Sequence, residues 1–189
     1  MSRSFLPFAL ALPILAAAGP AHAAYPSTAK WSSAPTLNIQ RSSSISSAWY
    51  DEVEAAIDIV NLGSFGSWVN VQDDDDTTVA DKNTENELAF TSSATLLCGT
   101  GADGCAWSWA YASDATKRYE SDVYLDSTVA WDTDRLTTDI GAYGGSQRPL
   151  ATTTIHEIGH FLGLDHESRY YNVMGKDFEY MTSNGTEYF

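Results

Sequence analysis

Proline, basic residues and cysteine are all scarce in this sequence of 189 residues, and each shortage excludes a class of protein or site. With 13 Gly and 6 Pro against 43% apolar residues, the chain is neither collagen-like, low-complexity nor disordered. Ten Lys and Arg stand against 25 Asp and Glu, a formal net charge of −15. This acidity argues against nucleic acid or an anionic membrane surface as a partner, because Lys and Arg are needed to bind phosphates.

No hydrophobic run long enough to cross a membrane follows the N-terminal segment. Residues 1–23 combine a basic start at Arg3, an apolar stretch and the small-x-small sequence Ala21-His22-Ala23, which is the pattern of a secretory signal peptide. We therefore expect cleavage before Ala24 and a secreted protein, extracellular or periplasmic in transit, with no membrane insertion after cleavage. Without internal repeats, residues 24–189 should form one domain, and we expect a monomer.

The two cysteines, Cys98 and Cys105, enclose a short glycine-rich loop. In an exported chain such an even pair predicts a disulfide, with two free thiols as the alternative. A metal site built on them would need two further soft ligands nearby, and the sequence has no other Cys.

Four consecutive acidic residues, Asp73, Asp74, Asp75 and Asp76, form a candidate calcium loop with Asp81 nearby. Calcium prefers several carboxylate oxygens. The spacing is not that of an EF-hand, and a solvated acidic turn is the alternative interpretation.

Hydrophobic periodicity predicts two amphipathic helices, one from Trp49 to Gly63 and one over 150–162, with Pro149 at a position where a first helical turn tolerates proline. A short helix is predicted near 177–182. Strands are predicted at 37–39, 68–71, 88–90, 106–112 and 119–125, with the last two joined through residues 113–117 as an antiparallel hairpin.

The second long helix carries the sequence HEIGHFLGLDH, which begins at His156. His156 and His160 are four residues apart, so they project from one face and offer two imidazole nitrogens to one ion. Glu157 lies about 100° further round the helix, where it flanks the ion instead of crowding its ligands. Gly163 can take the left-handed conformation that ends a helix, and the turn brings His166 back to the same ion.

Three histidines with an open fourth position are typical of a catalytic zinc site. His22 leaves with the signal peptide, so every histidine of the mature chain belongs to this motif. Histidines that merely form hydrogen bonds in a buried helix are the alternative, but they do not account for the spaced Glu, Gly and third His.

These residues resemble the metzincin zinc metalloendopeptidases. HEIGHFLGLDH fits the metzincin signature HExxHxxGxxH, and the sequence YNVMG at 171–175 looks like the Met-turn of that clan. Among metzincins the matrixins are the closest likeness, because Met174 follows His166 by eight residues. The predicted strand at 120–125 with Trp131 downstream also resembles their last sheet strand and its exit.

The resemblance implies that His156, His160 and His166 bind Zn²⁺, that Glu157 is the general base and that Met174 forms an apolar floor beneath the metal. Together with the predicted elements it implies an α+β fold. We expect a twisted mixed sheet of about five strands, two long helices of which the second carries the zinc motif, and a small irregular C-terminal subdomain.

Two departures from the matrixins are visible. No segment between Ala24 and the first strand is long enough for their zinc-blocking propeptide, so we expect activity once the chain is exported. The 15 residues after Met174 are short for the closing helix of the family, as in a truncated catalytic domain.

The sequence thus predicts a secreted endopeptidase that acts on proteins or peptides. Its strand at 106–112, with Trp107, Trp109 and Tyr111 on one face, should border the cleft as a sheet edge and pair with the substrate backbone. The alternative is a non-catalytic exported module that binds calcium or a partner through its acidic face. Glu157 discriminates between them, because a structural zinc site does not need this carboxylate.

Overall fold

The computed structural model describes residues 29–62, 68–74, 79, 81–134, 146–166 and 173–175. Several predictions fall outside the described residues: the signal peptide, Asp75 and Asp76, the first two residues of the Met-turn, and the irregular C-terminal subdomain with its short helix. Among the helices that are described, none is both long and apolar enough to cross a membrane.

The described part of the chain forms seven strands and three helices. In chain order they are β1 Thr36–Gln40, α1 Ser47–Leu62, β2 Asn70–Asp74, β3 Glu87–Thr91, α2 Ala94–Cys98, β4 Gly104–Tyr111, β5 Asp114–Asp126, β6 Trp131–Asp132, β7 Arg148–Pro149 and α3 Leu150–Leu162. Five strands form one sheet in the order β2-β1-β3-β5-β4, in which only β4 runs antiparallel to its neighbour. The predicted α+β fold, a mixed five-stranded sheet with two long helices, is confirmed.

The core lies between one face of this sheet and the two long helices. Alternate residues of a strand point to the same face, so β1, β3 and β5 each contribute apolar side chains to it, and helical spacing does the same for α1 and α3. The fully buried members of this core include Leu37, Ile39, Val53, Ile57, Leu88, Val123, Leu125, Ile158 and Phe161. The helix that carries the histidines is therefore anchored in this core by Leu150, Ile158 and Phe161.

The opposite face of the sheet is acidic and is closed by the segment before β3. Glu120 accepts the backbone N–H groups of Lys82 and Thr84, and Asp122 accepts the N–H of Glu87 at 3.1 Å. Burial, reinforced by the charges of Glu120 and Glu87, raises the pKa of Asp122 to about 8. Because these carboxyl groups accept hydrogen bonds from backbone N–H groups of residues 82–87, the polar stretch that precedes β3 packs closely on the sheet.

The hairpin turn was predicted in the wrong place. β5 already begins at Asp114, so two residues join the strands and the segment predicted as the turn is mostly strand. Asp114 Oδ1 accepts the N–H and the hydroxyl of Thr116 at 3.1 and 2.6 Å, which stabilises this tighter start. Lys30 also pairs with the beginning of β5, a long-range contact that the local pattern does not contain.

Other boundaries also shifted. β2 begins at Asn70, two residues later than predicted, and continues to Asp74 because its pairing with β1 extends to that residue. The pattern gave no sign of α2, since five residues are too few to show helical periodicity. The two-residue pair β6 and β7 was not predicted either, and it leads directly into α3.

Candidate metal centre

Helix α3 carries two of the three histidines, His156 and His160. It ends just before Gly163, the glycine of the motif. It spans Leu150–Leu162, with Pro149 as its N-cap. Gly163 adopts φ 102°, its N–H reaches the carbonyl of His160 at 2.9 Å, and the N–H of Leu164 reaches the carbonyl of Gly159 at 2.8 Å. These bonds end the helix and turn the chain back toward its own histidines.

The turn brings the three imidazoles together. The Nε2 atoms of His156, His160 and His166 lie 3.1 to 3.2 Å from one another. Among the described residues, no other group of three or more His, Cys, Asp or Glu residues has ligand atoms that converge closely enough to hold a metal ion.

Hydrogen bonds fix the protonation of two of these rings. The Nδ1 atom of His156 lies 2.6 Å from the carbonyl oxygen of Val173, and that of His160 lies 2.6 Å from the carbonyl of Leu164. A carbonyl can only accept, so each Nδ1 donates its hydrogen and each Nε2 presents a lone pair. Burial lowers the pKa of His156 to about 4 and that of His160 to about 3. Both rings are therefore neutral at neutral pH, as metal ligands must be.

This donor set fits zinc. Facing lone pairs repel one another unless a cation lies among them. Nitrogen ligands bind Zn²⁺ at about 2.0 to 2.1 Å in tetrahedral geometry, which separates them by about 3.3 Å. The observed separations of 3.1 to 3.2 Å agree with that value.

Met174 lies against the zinc-motif helix between the two helical histidines. It is buried, and a Cβ placed on Gly159 would collide with its sulfur atom. Glycine at 159 therefore makes room for Met174, and the neighbouring carbonyl of Val173 orients His156. The described end of the predicted Met-turn thus contacts the motif through both a side chain and a backbone group.

Glu157 lines the same cleft and is only 5% exposed. Burial, with the negative charge of Asp103, raises its pKa to about 8. Its Oε2 atom has no hydrogen-bond partner among the described residues. Gly104 passes so close that a Cβ there would lie 2.9 Å from the carbonyl oxygen of Tyr124 and 3.2 Å from Cγ of Glu157. A side chain at 104 would therefore clash with the backbone of β5 and crowd the side chain of Glu157.

The cleft has a volume of about 630 Å³. Its walls are the zinc-motif residues, the disulfide between Cys98 and Cys105, and β4, which is an edge strand of the sheet as predicted. The disulfide joins α2 to β4 with a Cα separation of 5.4 Å. The three histidines, the disulfide and residues of β4 thus line the same open groove.

The three aromatic residues predicted for β4 occupy different surroundings. Trp109 lines the cleft, whereas Trp107 is 45% exposed and stacks on Trp109 with ring centroids 6.5 Å apart. Tyr111 packs on Tyr119 instead, and neither Trp107 nor Tyr111 lines the cleft. A register shift on both sides of Ala110 interrupts the strand alternation between them.

The candidate calcium loop is only partly described. Asp73 forms an ion pair with Arg41 at 2.7 Å, and Asp74 accepts a hydrogen bond from Gln40 at 3.4 Å. Asp81 accepts the hydroxyl of Tyr124 at 3.1 Å. Within the described residues these carboxylates have protein partners and do not converge on a common point, so calcium binding stays a prediction from the sequence.

Sequence reasoning missed several residues that shape the centre: the carbonyls of Val173 and Leu164, and the two glycines at 104 and 159. Of these, Gly159 had a signal in the sequence that could have identified it. A glycine inside an amphipathic helix is unfavourable unless packing requires it, so Gly159 marked a close approach of another group.

Comparison with known proteins gives one family. The family model described as Matrixin matches residues 30–188. No curated protein matches the chain. Among solved structures the chain is similar to high choriolytic enzyme 1 (HCE-1), a hatching enzyme zinc-protease from Oryzias latipes (medaka fish), with 14% identity and a TM-score of 0.37. The match covers 81% of this chain and 57% of that one, so the chain spans little more than half the length of this structure.

Proposed function

The chain belongs to the matrixin family, and from this membership we propose that it is a zinc endopeptidase that hydrolyses internal peptide bonds of proteins. The observation that carries the proposal is the convergence of three Nε2 atoms beside a buried glutamate in an open cleft. His156, His160 and His166 would hold Zn²⁺. When bound, the ion polarises the scissile carbonyl and lowers the pKa of a water molecule.

Glu157 would act as the general base and then as the general acid. Its carboxylate accepts a proton from the attacking water and later delivers it to the leaving amine. Burial, with the negative charge of Asp103, raises the pKa of this carboxyl group to about 8, and a group with a pKa close to the working pH can both accept and release a proton. The free Oε2 atom is the natural acceptor, since no described residue competes for it.

The edge strand β4 would hold the substrate. An edge strand offers unpaired backbone N–H and C=O groups, so an extended peptide can add to it as one more strand. Because Ala106, Ser108 and Ala110 of this strand line the cleft, a peptide paired with it would pass the metal centre.

A crystal structure with a peptide-like hydroxamate inhibitor tests this placement. We expect the inhibitor backbone to form strand-type hydrogen bonds with residues 106–112. An inhibitor bound at the metal with its backbone away from that strand would contradict the proposal.

We further propose that the protein is exported and that residues 1–23 are removed. The disulfide between Cys98 and Cys105 supports this proposal, because disulfides persist mainly in oxidising compartments outside the cytosol.

Chelation tests the proposed activity. The purified protein should degrade casein, lose that activity on treatment with a chelator, and regain it when zinc is added at an equimolar amount. Metal analysis of the same samples should show about one zinc per chain when active and almost none when inactive. Undiminished proteolysis in metal-free protein would refute the proposed function.

A further inference from the structure

The C-terminal end of α3 is held by two side chains from outside the zinc motif. Arg118 of β5 donates from Nη1 to the carbonyl of His160 at 3.0 Å and also to that of Phe161. Trp31 donates from Nε1 to the same Phe161 carbonyl at 2.8 Å. The last carbonyls of a helix have few partners within it, so these donors add to the bond that His160 accepts from Gly163 and hold the helix end.

Arg118 is itself fixed by the segment that carries Trp31. It is 6% exposed, and its backbone N–H donates to the carbonyl of Lys30 at 3.0 Å while the N–H of Lys30 reaches the carbonyl of Thr116 at 2.9 Å. The indole of Trp31 lies 5.7 Å from the guanidinium carbon and 5.4 Å from the ring of Phe161. The segment before β1 therefore covers Arg118 and leaves it little freedom.

The turn that these residues hold determines where two ligands lie. His160 is in the last turn of α3, and the reversal at Gly163 sets the position of His166. The carbonyl of Leu164, in the same reversal, orients the ring of His160. Any displacement of this helix end would move two of the three Nε2 atoms, whereas a buried cation beside the helix C-terminus stabilises it.

We propose that Arg118, covered by Trp31, is a positioning residue for the metal centre, which holds the last turn of α3 so that His160 and His166 converge with His156. This inference rests on the proposed zinc site. It assigns a role in metal binding to residues 42 or more positions away from the motif residues that they contact.

Zinc affinity measured against a competing chelator tests the inference. Arg118→Met, which keeps an apolar stem but no donor, should bind zinc about 10- to 100-fold more weakly, as when other groups that orient metal ligands are removed. Arg118→Lys should recover part of the affinity because its ammonium can still donate to one carbonyl. Trp31→Phe keeps a ring and loses one donor, so its loss should be smaller than that of Arg118→Met.

Arg41→Met is the matched control. Arg41 forms ion pairs with Glu54 and Asp73, away from the cleft. Its replacement therefore removes an Arg side chain without changing any contact to the end of α3. Its zinc affinity should equal that of the native protein. The visible absorption of the cobalt-substituted proteins should change for Arg118→Met and not for the control.

The zinc-free variants must also be compared by urea unfolding. If Arg118→Met binds zinc within twofold of the native protein, or if zinc affinity falls only in proportion to the free energy of unfolding in all variants including the control, the inference is wrong. Should Arg118→Met not fold, unchanged affinity in both Arg118→Lys and Trp31→Phe would also overturn it. Native protein that binds no zinc would instead refute the proposed function.

Discussion

Replacing Glu157 with Gln should lower proteolysis by at least about 100-fold while the zinc content stays at one ion per chain. Gln has the shape of Glu but cannot accept a proton, so the general-base contribution of about 100- to 10,000-fold is removed. Glu157 contributes no atom to the histidine cluster, and its side chain lies in the cleft wall beside Gly104. Metal binding should therefore survive the change.

The measurement pairs kcat on a peptide substrate with metal analysis of the same preparation. Glu54→Gln is the control, since it makes the same chemical change at a partly exposed site where Glu54 forms an ion pair with Arg41. Its kcat should equal the native value. Near-normal proteolysis by Glu157→Gln would remove Glu157 from its proposed role.

This experiment also separates the endopeptidase from the non-catalytic module. A module that uses zinc only for its structure would bind the metal equally in both proteins and would cleave no peptide in either. The burial of Glu157 also favours the enzyme, because its buried Oε2 atom has no hydrogen-bond partner among the described residues, and an unsatisfied buried polar atom costs free energy that a catalytic role explains.

Helical periodicity accounts for what could be predicted most accurately. The limits predicted for α3 agree with Leu150–Leu162, and α1 ends one residue before the predicted Gly63, because apolar spacing and glycine stops are local signals. The histidine cluster was predictable for the same reason, since all three residues lie within 11 positions.

Long-range contacts account for what could not be predicted. The end of β2 depends on pairing with β1, and the hydrogen bond from Trp31 to Phe161 joins residues 130 positions apart. The carbonyl of Val173 reaches His156 across 17 positions. No periodicity encodes such contacts, so the ligands were visible in the sequence while the groups that orient them were not.

Replacing His166 with Ala should weaken zinc binding by more than about 100-fold, the upper cost of removing a group that only orients a ligand. His166 lies after the helix, and its Nε2 completes the cluster at 3.2 and 3.1 Å from those of His156 and His160. Two imidazoles remain, and they keep their orientation because the carbonyls of Val173 and Leu164 still accept from them. The loss should thus be one of metal affinity and not of fold.

Dialysis against zinc-free buffer followed by metal analysis gives the first measurement, and urea unfolding of the metal-free proteins gives the second. The free energy of unfolding should be nearly the same for native and His166→Ala proteins without metal, because His166 is only half-buried and lies outside the apolar core. Once zinc is added, only the native protein should gain stability, since an ion that binds the folded state alone stabilises it by mass action. Full zinc occupancy in His166→Ala, or an equal gain in both proteins, would show that His166 is not a ligand.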